Sequence, residues 1–266
     1  MIGQEKVISL VDSFTLETLP RSVLIVGPYG SGKHMLVEYI SDKFGLQCED
    51  ISKNISIDKI EDICNQVEPH LYVIDMNILT NKNKLDKEQS ILLKFIEEPL
   101  ANSYIIILAE NLNKVLPTIT NRCIKIELQP YTHEILSKFI DLAVDDKLIL
   151  DIAKTPGELR EIKGEKLSEL LSFSEKIIDN ILSVPFYNAL NISKKLAFEN
   201  EKDKYSLDVF IRVILYSLRI RIQKEDNSLY YFLYSKFNKL AQELQAPYIN
   251  KKLLFENCLF SIKAQK

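Results

Sequence analysis

The apolar positions along the chain follow two rhythms, and the change comes near residue 130. Before it, short unbroken apolar runs alternate with stretches spaced three and four residues apart. Val23 to Val26, Leu71 to Ile74 and Tyr104 to Ala109 are continuous and rich in β-branched residues, which reads as strands buried on both faces. Weaker runs at Gln47 to Ile51 and Ile124 to Leu128 predict two more strands. Val7, Leu10 and Val11 predict a helix over 5–13, and Met35, Leu36, Tyr39 and Ile40 a second one that stops at Gly45. A further helix is expected around Ile57 to Gln66. Ile91, Leu92, Phe95 and Ile96 line one face of another over 88–99, which Pro99 ends. Strands alternating with helices predict right-handed βαβ units and a parallel sheet covered on both faces.

After Gln129-Pro130 no strand pattern remains, and helical spacing continues to the end. The expected organisation is an α/β nucleotide-binding-like domain over 1–130, a small helical lid over 131–173 and a larger all-α domain over 174–266. The lid contains Thr155-Pro156-Gly157-Glu158-Leu159-Arg160, a turn into a helix. In the last domain Phe210, Val213, Ile214 and Leu218, then Leu253, Leu254 and Leu259, form apolar stripes. These serve its own core, a partner surface, or both.

The first strand runs into Gly27-Pro28-Tyr29-Gly30-Ser31-Gly32-Lys33, the spacing of a phosphate-binding P-loop. Gly27, Gly30, Ser31 and Gly32 let successive backbone N–H groups turn inward around a polyphosphate. Lys33 adds a point charge, and the following helix adds its positive end. After this lysine the motif has Ser or Thr, whose hydroxyl binds Mg²⁺. Here it has His34, a bulky imidazole and a poor ligand for a hard cation. The loop is expected to be a P-loop that has drifted from hydrolytic competence. Leu71-Tyr72-Val73-Ile74-Asp75 ends an apolar strand in an acid, as a Walker B segment does, at the sheet edge beside the loop. The next residue is Met76 rather than a glutamate. Methionine accepts no proton, and a missing general base costs about 10²–10⁴ in rate.

The net charge of −3 argues against a protein that holds nucleic acid by its overall charge. Its 34 Lys and Arg still permit a local basic face. Cys48, Cys64, Cys123 and Cys258 are scattered, with neither the spacing of a zinc site nor a disulfide framework. There is no signal-peptide pattern and no apolar run of membrane-spanning length, so the expectation is a cytoplasmic protein without membrane association.

Two further segments carry a resemblance. Leu92-Leu93-Lys94-Phe95-Ile96-Glu97-Glu98-Pro99 matches an LLKxLEEP helix, and Leu116-Pro117-Thr118-Ile119-Thr120-Asn121-Arg122-Cys123 matches an LLPTIxSRC segment. With Ile2-Gly3-Gln4 and the Gly157 to Arg160 turn, nearly the full chain resembles the clamp-loader subunits of the AAA+ ATPases. The nearest type is the delta-prime subunit of bacterial DNA polymerase III. The resemblance implies a P-loop AAA+ domain, a lid and a C-terminal collar that joins subunits into a hetero-pentameric ring. It implies that Arg122 is an arginine finger reaching ATP on a neighbouring subunit. It also makes Arg160 a lid-borne sensor of nucleotide in the same subunit, and places Asn111 near the first sensor position. Ile2 and Gly3 would lie near an adenine pocket. Glu110-Asn111 departs from the family's threonine pair, Asn121 replaces a serine, and the family's zinc cysteines are absent.

Together these imply a clamp-loader subunit that does not itself hydrolyse ATP. It lends Arg122 to a neighbour while the complex loads a sliding clamp on primer–template DNA. Lys87 and Lys94 are candidate phosphate contacts, and a solvated helix face explains them equally well. ATP or ADP is the expected nucleotide. Whether the loop holds it without Mg²⁺, or His34 and Tyr29 occlude the pocket, stays open. The alternative is an ATP-hydrolysing motor subunit of the same kind of complex. A small-molecule P-loop kinase is disfavoured because this sequence shows no arginine-rich lid, and a branch-migration motor is disfavoured by the EEP helix and the missing glutamate.

Overall fold

The computed structural model describes residues 1–53, 55, 63, 68–80, 92–93, 95–97, 103–112, 115–140, 146–162, 165–181, 196–197, 205–244 and 250–264. The chain divides into two compact units. One comprises 1–139 with 155–158, and the other 140–154 with 159–266.

The first unit is a parallel sheet of five strands: β1 (Ser22–Val26), β2 (Gln47–Asp50), β3 (His70–Asp75), β4 (Ser103–Ala109) and β5 (Ile124–Glu127), in the order β2-β3-β4-β1-β5. The continuous apolar runs are the inner strands β3, β4 and β1, and the weaker ones are the edges. All of β4 is buried, whereas β2 and β5 are mostly exposed. Side chains alternate between faces. Val23, Ile25, Leu71, Val73, Ile106 and Leu108 meet helices α1 (Glu5–Asp12) and α2 (Lys33–Phe44) through Val7, Val11, Leu36 and Ile40. Leu24, Tyr72, Ile74, Ile105 and Ile107 meet Leu92, Phe95 and Ile96 on the opposite face. Each such side chain contributes about 1.5–3 kcal/mol by leaving water. Gly45, at φ 62°, ends α2 in the left-handed conformation. Short helices α3 (Met76–Thr80), α4 (Pro117–Thr120) and α5 (His133–Leu136) follow β3, precede β5 and follow β5. The expected helix over 57–66 lies outside the described residues apart from Ile63.

The second unit is built on α6 (Asp146–Ile152), the end of α7 (Pro156–Ile162), α8 (Glu165–Asn180), α9 (Leu207–Lys224), α10 (Ser228–Glu243) and α11 (Lys251–Lys263). Helix α9 packs on α6, α8 and α10, and α10 packs on α11. Asn227 and Asn250 cap α10 and α11 by accepting hydrogen bonds from the Leu229 and Leu253 N–H groups. Phe210, Val213, Ile214, Leu218 and Leu259 are fully buried, so these stripe residues are core, while Leu253 is 54% exposed. One departure from the helical pattern is a parallel pair, β6 (Leu196–Ala197) with β7 (Tyr205–Ser206). Two residues per strand are too few for a period of two to register in sequence. No helix among the described residues is long and apolar enough to cross a membrane.

Candidate functional site

Strand β1 lies between β4 and β5, with Val26 opposite Ala109 on one side and Glu127 on the other. Its C-terminal end is therefore where connections diverge to the two sides of the sheet, the usual place for a ligand in an open parallel sheet. The loop from Gly27 begins there, pinned by the Gly27 N–H to the Ala109 carbonyl at 3.1 Å. Gly30 and Gly32 take positive φ, 69° and 93°, which side chains resist. A Cβ on Gly27 would lie 2.8 Å from Ser31 Oγ, so that hydroxyl occupies the inside of the curl. Ser31 is buried, and its Oγ has no hydrogen-bond partner.

The loop's carbonyls account for its shape. Lys33 Nζ donates to the Gly27 and Pro28 carbonyls at 2.7 and 2.9 Å. Thr155 Oγ1 donates to the Tyr29 carbonyl at 2.8 Å, and the Gly157 N–H to the Gly30 carbonyl at 3.0 Å. The Tyr131 hydroxyl donates to the Ser31 carbonyl at 2.9 Å. Every carbonyl from Gly27 to Ser31 thus has a protein donor. A carbonyl directed at a phosphate repels it, so tying these oxygens elsewhere fixes the loop in an anion-accepting form. Burial pushes the Tyr131 phenol above its ordinary pKa, which keeps its donor proton on. Thr155 also accepts from the Glu158 N–H, so one hydroxyl caps α7 and holds the loop. Gly157 permits the approach, because a Cβ there would lie 2.4 Å from Gly30 Cα.

Gln4, fully buried, exchanges two hydrogen bonds with the Gln129 backbone and fixes the N-terminus against the end of β5. Gly3, at φ 80°, packs against Tyr131 and Ile135. Ile2 is 48% exposed.

Asp75 ends β3, opposite Leu108, at the same sheet edge as the loop. Its Oδ1 accepts from the Asn77 N–H at 2.8 Å, and its Oδ2 lies 3.6 Å from His34 Nε2. The two positions that sequence associates with Mg²⁺ thus carry an imidazole and a carboxylate side by side, at a separation longer than a hydrogen bond. Neither His34 nor Tyr29 is buried in the loop: their exposures are 63% and 54%. Met76, next to Asp75, is wholly buried among Leu92, Ile105 and Ile107. That position faces the core, not the loop.

Asn111 follows β4 just past the residue paired with Val26, at the loop's edge of the sheet. Arg122 is at the other edge. Ile124 pairs with Val23, four residues before Gly27, on the order of 13 Å away at about 3.3 Å per residue. Its guanidinium forms an ion pair with Glu97 at 2.6 Å and donates to the Thr118 carbonyl at 2.9 Å, and it is 42% exposed. Arg160 is an exposed residue of α7 in the second unit. Lys87 and Lys94 lie outside the described residues. Sequence reasoning did not find Tyr131 or the grip of Thr155 and Gly157 on the loop. The signal available was the Thr-Pro-Gly-Glu helix start, which shows a cap but not its second partner.

Residues 44–132 match the family described as DNA polymerase III, delta subunit. The segment includes Asp75, Glu97 and Arg122, and the loop precedes it. A search of curated proteins finds no match. Among solved structures, a proline-to-glycine mutant of RuvB from Thermotoga maritima aligns at 17% identity over 96% of this chain and 88% of that one, with a TM-score of 0.50. A DNA polymerase III gamma subunit-related protein of the same organism aligns at 14% identity over 98% and 99%, with a TM-score of 0.49. The chain thus shares its fold with RuvB, and its residues 44–132 are similar to the family described as DNA polymerase III, delta subunit.

Proposed function

We propose that the chain is a delta-prime-like clamp-loader subunit that does not hydrolyse ATP and supplies Arg122 to the ATP site of a neighbouring subunit. The observation that carries this reading is the placement of Arg122. It sits at the sheet edge opposite the chain's own loop, half-exposed and fixed by Glu97 and Thr118. A planar cation there serves a phosphoryl group on another subunit, not its own. The burial of Met76 supports the absence of hydrolysis, since no proton acceptor stands at that position.

In this reading residues 131–173 form the lid, and 174–266 form the collar that holds a hetero-pentameric ring. The sliding clamp and primer–template DNA are met through the complex. Arg160 and Asn111 sense nucleotide held by Gly27, Gly30, Ser31, Gly32 and Lys33. The competing motor-subunit reading draws on the glycines and Lys33 of the loop, and His34 and Met76 weigh against it.

ATP turnover tests the proposal. The isolated chain is expected to be inactive, and a mixture with the ATP-hydrolysing subunit from the same organism to be active. Arg122→Ala should lower the mixture's turnover on the order of a thousandfold. Turnover by the chain alone, abolished by Lys33→Ala, would instead mark it as a motor.

A further inference from the structure

The residues around the loop fit a polyphosphate but do not fit the Mg²⁺ that usually accompanies one. We infer that this loop binds a nucleoside di- or triphosphate without a divalent cation, with the His34 imidazole standing beside Asp75 where the metal's ligands belong. The inference rests on reading the loop as a phosphate cradle, and is independent of whether Arg122 acts on a neighbour.

The fit to phosphate has three parts. The loop carbonyls are tied to Lys33, Tyr131, Thr155 and Gly157. The loop leads into α2, a helix of 12 residues whose first position is Lys33, so a positive helix end lies at the loop, while the Lys33 ammonium adds its charge from the Gly27 and Pro28 carbonyls. Inside the curl lies Ser31 Oγ, 1% exposed by residue and without a hydrogen-bond partner. A buried hydroxyl left without a partner costs about 1–3 kcal/mol, and a phosphate oxygen would complete it.

The misfit to Mg²⁺ is equally specific. That ion requires near-octahedral oxygens at about 2.0–2.1 Å and is usually held at such a loop by a hydroxyl and an acid. The hydroxyl position carries the imidazole of His34. The acid, Asp75, already uses Oδ1 on the Asn77 N–H and presents Oδ2 to His34 Nε2 at 3.6 Å. Its side chain is 13% exposed. The phosphate charge is then met by Lys33 and the α2 N-terminus alone. A site of this kind holds nucleotide without preparing it for hydrolysis.

The test titrates the full chain with ATP and with ADP, once with excess Mg²⁺ and once with EDTA, reading heat or intrinsic tyrosine fluorescence. The expected dissociation constants agree within about twofold between the two conditions. The variant His34→Thr restores the hydroxyl beside Asp75, so its ATP affinity should be about tenfold higher with Mg²⁺ than with EDTA. Wild-type binding that weakens about tenfold in EDTA overturns the inference. So does the absence of binding in both conditions, even where the Arg122→Ala result still holds. A His34→Thr protein as indifferent to Mg²⁺ as wild type removes His34 from the explanation. If that variant does not fold, the wild-type comparison alone decides.

Discussion

At the scale of single residues, the site is governed by where backbone oxygens go. The loop's carbonyls each have a donor, and one of those donors, Gly157, has no room for substitution. Gly157→Ala places a methyl group 2.4 Å from Gly30 Cα, and backbone cannot yield as a flexible side chain can. We expect a loss of about 1–3 kcal/mol in urea unfolding together with weakened ATP binding, whereas Ala at the neighbouring Glu158 should leave binding unchanged. Met76→Glu looks like repair of a catalytic base when judged from sequence. The structure predicts otherwise, because Met76 is fully enclosed by apolar side chains. A carboxylate there is a buried charge without a partner, so the variant should be destabilised by several kcal/mol and gain no ATP turnover. A Met76→Glu protein that is stable and hydrolyses ATP would contradict this assignment.

At the scale of elements, much was legible because the inner strands each hold an unbroken apolar run. The runs that ended at Asp75 and Ala109 are β3 and β4, and the run before Gly27 is β1. Gly45 ends α2 as its place in the sequence suggested. What sequence did not carry is contact between distant segments. Thr155 and Tyr29 are 126 positions apart and joined by one hydroxyl, and periodicity holds no record of such a pairing. Likewise Gln4 reaches the Gln129 backbone across 125 positions. The contact between His34 and Asp75 was foreshadowed only in that each stood at a metal-associated position. Thr155→Val tests the double role of that hydroxyl. It removes a helix cap worth about 1 kcal/mol and the donor to the Tyr29 carbonyl, worth about 0.5–1.5 kcal/mol. The two together should appear as a lowered urea midpoint and a weaker affinity for ATP, whereas Thr155→Ser should keep both.

At the scale of the whole molecule, the buried thiols set an alkaline limit. Burial raises Cys123 from 9.0 to about 11 and Cys258 from 9.0 to about 12. Below pH 9 both thiols are protonated in the folded and unfolded chain alike, and their full contribution is present. As pH rises above 9 the unfolded chain loses these protons first, so stability should fall until the folded values are passed. Unfolding midpoints measured from pH 8 to 11 should therefore decline, and the decline should shrink in a Cys123→Ala, Cys258→Ala protein. The exposed Cys48 should react with a thiol reagent before either of them. On the proposed function, opposite ends of one sheet's strands serve different purposes, with the phosphate loop after β1 and Arg122 before β5. The most direct test compares two variants in a mixture with the ATP-hydrolysing subunit. Lys33→Ala should leave the mixture's ATP turnover near wild type, and Arg122→Ala should abolish it. Loss of turnover with Lys33→Ala, and its survival with Arg122→Ala, would contradict the account.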